Sequence, residues 1–173
     1  MEYRAAENDS ELLEILKLQQ DNLFDNIAPE VREREGFLKV RHNLDLLRQM
    51  QDRVPQVIAI DGNTLAGYAL CMHREQYNLI STLSPLYKIA ETHLPKEMDY
   101  VIMGQICVAK GYRGQGHFNR LYTKLRELCN DLPVVTEIAS INSRSLKAHR
   151  NVGFETLGSH QEQDFNWHVV LWP

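Results

Sequence analysis

Two glycines, Gly114 and Gly116, stand between a long apolar segment and a segment whose apolar residues have helical spacing. Glycine suits a backbone that adopts positive φ or lies close to a ligand. The first N–H groups of the following helix would lack internal partners, and the helix dipole is positive at that end. Lys110 and Arg113 add positive charge nearby. These residues indicate a phosphate-binding turn, although two glycines alone are more often only a tight surface turn.

Two familiar nucleotide-binding patterns match this turn only in part. A Walker loop has Lys-Ser/Thr after its last glycine, and this turn has none. A Rossmann fingerprint has a third glycine where Asn119 stands, although Glu137 fits the acidic position about 20 residues further on. The chain after Glu137 is too short to continue a doubly wound sheet. A small nucleotide-binding protein is therefore a weak alternative, which stabilisation by ATP or NAD would support.

A second pattern runs from Asn142 to Phe154 and reads Asn-x-x-Ser-x-x-x-His-x-x-x-Gly-Phe. It resembles motif B of the GNAT N-acetyltransferase superfamily, in which Tyr is most common at the position of His149. The segment Arg113 to Phe118 resembles motif A, Arg/Gln-x-x-Gly-x-Gly/Ala, with Phe118 in place of the last small residue. The two motifs in this order, with a strand between them, make the chain similar to the family from Tyr100 to Phe154.

The resemblance implies an α+β fold with a mixed, mostly antiparallel sheet of six or seven strands flanked by helices. The residues agree, because apolar spacing and turn signals alternate along the chain. Strands are expected at 3–6, 57–60, 65–72, 100–108, 134–138 and 167–172. Helices are expected from Asn8, which with Glu11 forms a capping box, from Pro29 to 50, after Pro85, and at 118–129 and 143–152. No linker interrupts residues 1–173, so we expect one domain.

The resemblance also implies acetyl-CoA as donor and a primary amine as acceptor, which attacks directly in a ternary complex. The diphosphate would lie on the backbone N–H groups of residues 113–118, and the pantetheine arm along residues 105–108, where the sheet splays from residues 134–138. The cofactor-binding residues it implies are Ile106, Cys107, Val108, Arg113, Gly114, Gln115, Gly116, His117, Phe118, Asn142 and Ser145.

Two residues are candidates for proton transfer. An amine with a pKa near 10.4 is neutral in only about one molecule per thousand at pH 7, so a base is expected. Family members often carry a carboxylate on the long central strand, but here Gln105 is its only strongly polar side chain. Glu137 is therefore the candidate base, with an exposed strand end or an ion pair as its alternatives. His149 could protonate the leaving thiolate, or could only pack and hydrogen-bond.

The missing central carboxylate keeps a second hypothesis open, a non-catalytic acyl-CoA-binding or interaction module on the same fold. It predicts stabilisation by CoA without turnover, whereas an enzyme releases CoA when an amine is added. The sequence does not distinguish between a small amine and a protein amine as the acceptor. The net acidic charge mildly favours a cationic one.

Composition narrows the remaining partners. The 173 residues carry a net charge of −4 with a pI of about 6.0, so nucleic-acid binding is not expected. The absence of a long apolar run or a leader-like N-terminus predicts a cytoplasmic protein without a membrane segment. Three scattered cysteines, Cys71, Cys107 and Cys129, show no metal-ligand spacing, and no metal is expected. A homodimer through the C-terminal strand is a further hypothesis.

Overall fold

The computed structural model describes residues 1–162 and 164–173, and these form seven strands and six helices. The strands are β1 (Glu2–Ala5), β2 (Val57–Asp61), β3 (Thr64–His73), β4 (Val101–Val108), β5 (Val134–Ala139), β6 (Glu155–Glu162) and β7 (Phe165–Trp172). The helices are α1 (Asp9–Gln20), α2 (Pro29–Glu35), α3 (Leu44–Gln51), α4 (Ser84–His93), α5 (His117–Leu128) and α6 (Ser143–Val152).

The strands form one sheet in the order β1-β2-β3-β4-β5-β7-β6. Every neighbouring pair is antiparallel except β4 and β5, which are parallel. A parallel pair needs a crossover connection, and here α5 supplies it. The prediction of an α+β fold with a mixed, mostly antiparallel sheet of six or seven strands is confirmed.

Strand β6 is absent from the sequence-based prediction. Its sequence is almost entirely polar, and most of its side chains are at least partly exposed. Such a strand carries little β-propensity signal, because it lies at an edge and packs mainly through its pairing with β7. Since β7 lies between β5 and β6, both of its edges are paired. The C-terminal strand therefore offers no free edge for the dimer that we hypothesised.

Helix caps explain where α1 begins. The Asn8 side chain accepts a hydrogen bond from the Glu11 N–H at 3.1 Å, as the sequence predicts. The reciprocal half of the capping box is wrong. The Glu11 carboxylate instead accepts from the Glu7 N–H at 2.7 Å and pairs with Arg4, which leaves the Asn8 N–H outside the motif.

Alternation along the strands separates two hydrophobic cores, one on each face of the sheet. Ile102 and Val135 face the core that α1, α3 and α4 cover. Their neighbours Val101 and Val134 face the core that α5 covers. Both faces of the central strands are thus buried, which accounts for their nearly continuous apolar sequence.

The three cysteines are buried and free, in agreement with their expected role as small core residues. They fall in different elements, with Cys71 in β3, Cys107 in β4 and Cys129 at the end of α5. Among the described helices, none has the length and apolar character needed to cross a membrane.

Candidate active site

A gap between β4 and β5 creates the main cleft. The two strands pair only at Val101–Val134 and Ile102–Val135, near the start of each strand. The pairing of β4 with β3 shifts register at Gly104, and such a bulge bends a strand locally. Past this point the β5-facing edge of β4 is unpaired, as expected for residues 105–108.

The turn after β4 has the geometry that the glycine pattern predicts. Gly114 and Gly116 have φ of 77° and 81°, a region that L side chains rarely adopt. Gly116 is the N-cap of α5, and no side chain caps that helix. A Cβ atom built on either glycine would meet nothing within 4 Å. The first residues of α5 line the cleft and their N–H groups have no side-chain cap, so this helix start fits an anionic diphosphate.

The cleft has a volume of about 330 Å³ and lies between the glycine turn, the end of β4 and the start of α6. The predicted cofactor-binding residues that line it are Ile106, Cys107, Val108, Arg113, Gly114, Gly116, His117, Phe118, Asn142 and Ser145. Gln115 is the exception, since it is exposed and its side chain donates to the Gly111 carbonyl at 3.1 Å. Residues from two motifs and one strand thus share a single cleft.

The Arg113 side chain has a structural task. Its guanidinium donates to the Asn22 side-chain oxygen at 2.7 Å and to the Val108 carbonyl at 2.9 Å, and forms an ion pair with Glu35. It therefore fastens the glycine turn to the helical region before β2. Its charge is largely balanced by Glu35, so the backbone of the turn remains the main feature for an anion.

The segment Glu35–Leu38 also lines the cleft, and sequence reasoning missed it. Gly36 has φ of 77°, and a Cβ there would lie 2.9 Å from the side-chain oxygen of Asn142. The Asn142 side chain also donates to the Phe37 carbonyl at 3.2 Å and caps α6 through the Ser145 N–H. The glycine that ends α2 was the available signal, but nothing near it in sequence indicates its partner.

Deeper in the gap, a smaller pocket of about 100 Å³ brings together the two predicted catalytic residues, Glu137 and His149. Its wall also includes Thr136, whose hydroxyl donates to the Met103 carbonyl at 2.7 Å across the gap. Glu137 is on β5 and His149 is on α6, so the pocket depends on how these elements pack.

Glu137 is not the exposed strand-end residue of the alternative interpretation, because only 9% of its side chain is exposed. Its carboxylate lies 2.8 Å from His160 Nε2. Burial raises the pKa of Glu137 above its usual value, the hydrogen bond from His160 lowers it, and the nearby charge of Glu162 raises it. A carboxylate in this setting is a stronger base than one in water.

His149 is buried and uncharged. Because a carbonyl only accepts, the 2.8 Å contact with the Ser145 carbonyl places a hydrogen on Nδ1. Nε2 then accepts from the Tyr122 hydroxyl at 2.7 Å. Burial lowers the pKa of His149 to about 4, so the imidazolium form is scarce at neutral pH. Of the two roles left open by the sequence, this environment favours packing and hydrogen bonding.

Gln105 belongs to a buried polar network, which we define as Gln19, His42, Tyr68 and Gln105. The Gln105 side-chain oxygen accepts from Tyr68 at 2.6 Å and from Gln19 at 2.8 Å, and its amide donates to the Val40 carbonyl at 2.8 Å. Gln19 also donates to His42 Nδ1 at 2.8 Å. The network supports the floor of the inner pocket, which Gln105 lines.

Three rings, Phe24, Phe37 and Phe165, form an aromatic bridge from the helical region to the start of β7. Phe24 lies 5.0 Å from Phe37 and 5.6 Å from Phe165 between ring centroids, both edge to face. The Lys39 ammonium lies 4.5 Å from the Phe24 ring and 4.4 Å from the Phe165 ring. The connection between α2 and α3 lines the inner pocket. The bridge joins this connection to β7, which lies on the other side of the gap between β4 and β5.

Within residues 1–162 and 164–173, no group of three or more His, Cys, Asp or Glu side chains could hold a metal ion. Charged side chains nevertheless line both pockets: Glu35, Arg113 and Arg144 in the cleft, and Lys39 and Glu137 in the inner pocket.

Solved structures share this fold. A chain of the NatC complex bound to Gag peptide and CoA superposes with a TM-score of 0.68 at 15% identity, covering 99% of this chain and 97% of that chain. An N-acetyltransferase from Staphylococcus aureus Mu50 gives 0.63 at 17%, covering 99% and 100%. Arabidopsis thaliana Naa50 in complex with the bisubstrate analogue CoA-Ac-MVNAL gives 0.66 at 15%, covering 99% and 97%.

At these identities the superpositions show the fold alone. No protein of curated function matches the sequence significantly. The sequence profile of the Acetyltransferase (GNAT) family matches residues 14–154, most of the chain, and this range includes both motifs. The resemblance of the two motifs is confirmed, and the chain is an acetyltransferase of the GNAT family.

Proposed function

We propose that this acetyltransferase moves the acetyl group of acetyl-CoA to a primary amine by direct attack in a ternary complex. The observation that carries the proposal is the cleft between β4 and β5, which has an open glycine turn at its outer end and a pocket with a buried carboxylate at its inner end. One end suits a diphosphate and the other suits an amine that must lose a proton.

The cofactor would be held mainly by backbone groups. Of the backbone groups at residues 113–118, the Arg113 N–H donates to the Lys110 carbonyl, and those that follow it suit the diphosphate because Gly114 and Gly116 bring no side chain into the turn. The unpaired edge of β4 at Ile106–Val108 suits the amide groups of the pantetheine arm, which could add to the sheet as a short strand does. Asn142 and Ser145 line the same cleft. When bound, acetyl-CoA supplies an activated thioester.

Glu137 is the proposed base. An acceptor amine is mostly protonated at neutral pH and cannot attack until it loses that proton. The raised pKa of Glu137 brings the carboxylate closer to the amine in basicity. The Glu137 side chain lines the inner pocket and also an outer chamber of about 430 Å³ on the other side. The carboxylate thus lies between an entry for the amine and the gap.

His149 is proposed as a positioning residue. Its ring joins the Ser145 carbonyl to the Tyr122 hydroxyl and packs edge to face against Phe118, whose ring centroid lies 5.1 Å away. Phe118 lines the cofactor cleft, so the imidazole fixes one wall of that cleft. Its substitution by Phe should alter cofactor affinity more than the pH dependence of turnover.

The test has two stages. Calorimetric titration with CoA measures cofactor binding, and thiol release from acetyl-CoA measures turnover with a panel of amines. The panel contains a peptide with a free α-amine, a peptide with a lysine side chain, and spermidine. Peptides are included because two structural neighbours are complexes with a peptide or a peptide-containing analogue.

Glu137→Gln should keep CoA affinity and lower kcat by about 100-fold or more, because the isosteric amide cannot accept the proton. Tight CoA binding without thiol release for any amine would favour the non-catalytic module. Stabilisation by ATP or NAD but not by CoA would overturn both interpretations.

A further inference from the structure

The carboxylate of Glu137 has one fixed oxygen and one free oxygen. Oε2 lies 2.8 Å from Nε2 of His160, which is on β6, two strands away from β5. Oε1 has no hydrogen-bond partner among the described residues. Because Glu137 lines both the inner pocket and the outer chamber, the oxygen left over is the one a substrate could reach.

The tautomer of His160 follows from this contact. An ionised carboxylate only accepts, so Nε2 carries the hydrogen and donates it to Oε2. In the neutral ring Nδ1 is then unprotonated, and it is buried without a partner among the described residues. Trp167 lies nearly parallel to the imidazole, with 11° between planes and 6.4 Å between ring centroids. The ring is held by one hydrogen bond and by packing.

We propose that His160 is the positioning residue of the base: its Nε2–H holds Oε2 of Glu137 so that Oε1 faces the incoming amine. This assignment rests on the proposed function. An N–H bond of the acceptor ammonium breaks and an O–H bond forms on Oε1. The nitrogen lone pair then forms a C–N bond with the thioester carbonyl carbon, and the C–S bond breaks with its electron pair leaving on sulfur. The second proton that nitrogen loses ends on the departing thiolate, which leaves as the CoA thiol.

Charged groups around the carboxylate come from two other elements. Lys39 and Arg41, between α2 and α3, and Glu162, at the end of β6, line the outer chamber with Glu137. His149 of α6 lines the inner pocket and is neutral. The His160 hydrogen bond lowers the pKa of Glu137, and the charge of Glu162 raises it. Removing the His160 donor should therefore raise the pKa of Glu137, and removing the charge of Glu162 should lower it.

The experiment measures kcat/KM against pH for the wild type and three variants. His160→Phe removes the donor, so the acid limb, where Glu137 becomes protonated, should move to higher pH. It should also lower kcat by about tenfold because the carboxylate loses its orientation. His160→Gln keeps an N–H donor and should restore most of kcat. Glu162→Gln removes a negative charge and should move the acid limb to lower pH.

His168→Gln is the matched control, because His168 is on β7 next to Trp167 and so points to the opposite face of the sheet. It should leave the acid limb in place, and CoA affinity should be unchanged in all variants. A His160→Phe enzyme with the kcat and pH profile of the wild type overturns the assignment to His160 and leaves the proposed function standing. A wild type that binds CoA but releases no thiol with any amine overturns the proposed function, and the assigned role falls with it.

Discussion

The cofactor cleft and the inner pocket lie end to end in one gap, but they are built in different ways. The cleft depends on backbone, with two glycines of positive φ, an uncapped helix start and an unpaired strand edge. The inner pocket depends on residues from six parts of the chain, including Glu137, His149 and Gln105 of the buried polar network. A backbone site is encoded in a short stretch of sequence, whereas a side-chain site requires the whole fold.

The largest expected effect concerns acid stability, and it tests the inner pocket with its buried polar network. This region holds two buried histidines, His42 in the polar network and His149 in the pocket wall, and burial lowers the pKa of both to about 4. In the unfolded chain a histidine titrates near pH 6.5, so the unfolded state binds these protons first as pH falls. Their contribution is complete above about pH 6.5 and is lost towards pH 4, by on the order of 3 kcal/mol for each histidine.

Urea unfolding at stepped pH measures this loss. His42→Gln and His149→Gln should each reduce the loss of unfolding free energy between pH 6.5 and 4 by the contribution of one histidine. Substitution of the exposed His93 by Gln should not change this loss. A free energy of unfolding that does not change between pH 6.5 and 4 would contradict the burial of both rings. Flattening by only one variant would show that only one of the two rings is kept neutral by burial.

The next effect isolates the backbone site. Gly116→Val places a branched side chain at φ of 81° in the open space before α5, and CoA affinity should fall by about 100-fold, equivalent to about 3 kcal/mol. Gly62→Val is the control, since Gly62 in the β2–β3 turn has φ of 59° and equally open space. The control should share the backbone strain and keep CoA affinity, as measured by calorimetry. Equal loss in both variants would mean that strain alone is responsible.

A smaller effect isolates the side-chain site. Gln105→Met keeps the size of the side chain but leaves the Tyr68 hydroxyl, the Gln19 amide and the Val40 carbonyl without their partner. We expect a loss of about 2 kcal/mol in the free energy of unfolding. The exposed Gln20→Met should change it by less than about 0.5 kcal/mol. Matching values for the two variants would show that the network contributes no net stability.

The smallest effect tests the aromatic bridge. Lys39→Met removes the ammonium that lies over Phe24 and Phe165 while retaining an unbranched side chain, and it leaves the Arg32 guanidinium in place 3.8 Å from the Phe24 centroid. The cation–π contacts of Lys39 should contribute about 0.5–1 kcal/mol to the free energy of unfolding. Urea unfolding measures this loss, with Lys88→Met on the exposed surface of α4 as the control variant. If the two variants cannot be distinguished, the Lys39 ammonium adds nothing to the stability of the bridge.

The sequence predicts the first region far better than the second. The glycine turn, α5, the cap at Asn142 and the end of α6 at Gly153 all follow from neighbouring residues, and each is present. Glu35 and Gly36 lie more than 70 residues before Arg113, and no local signal joins them. The position of His160 beside Glu137 could not be predicted for a related reason. Its strand is a polar edge strand, and only its pairing with β7 determines its register.

The narrow seam between β4 and β5 has a mechanical consequence. Among the described residues, β4 and β5 share only two paired positions, and this pairing is the only strand pairing between the four strands on one side of the seam and the three on the other. Helix α5 crosses the seam as a covalent connection. A ligand that fills the cleft contacts the strands on both sides of the seam at once and so links them. Binding in the cleft should therefore raise the free energy of unfolding of the whole sheet, because a compound that binds only the folded state stabilises it.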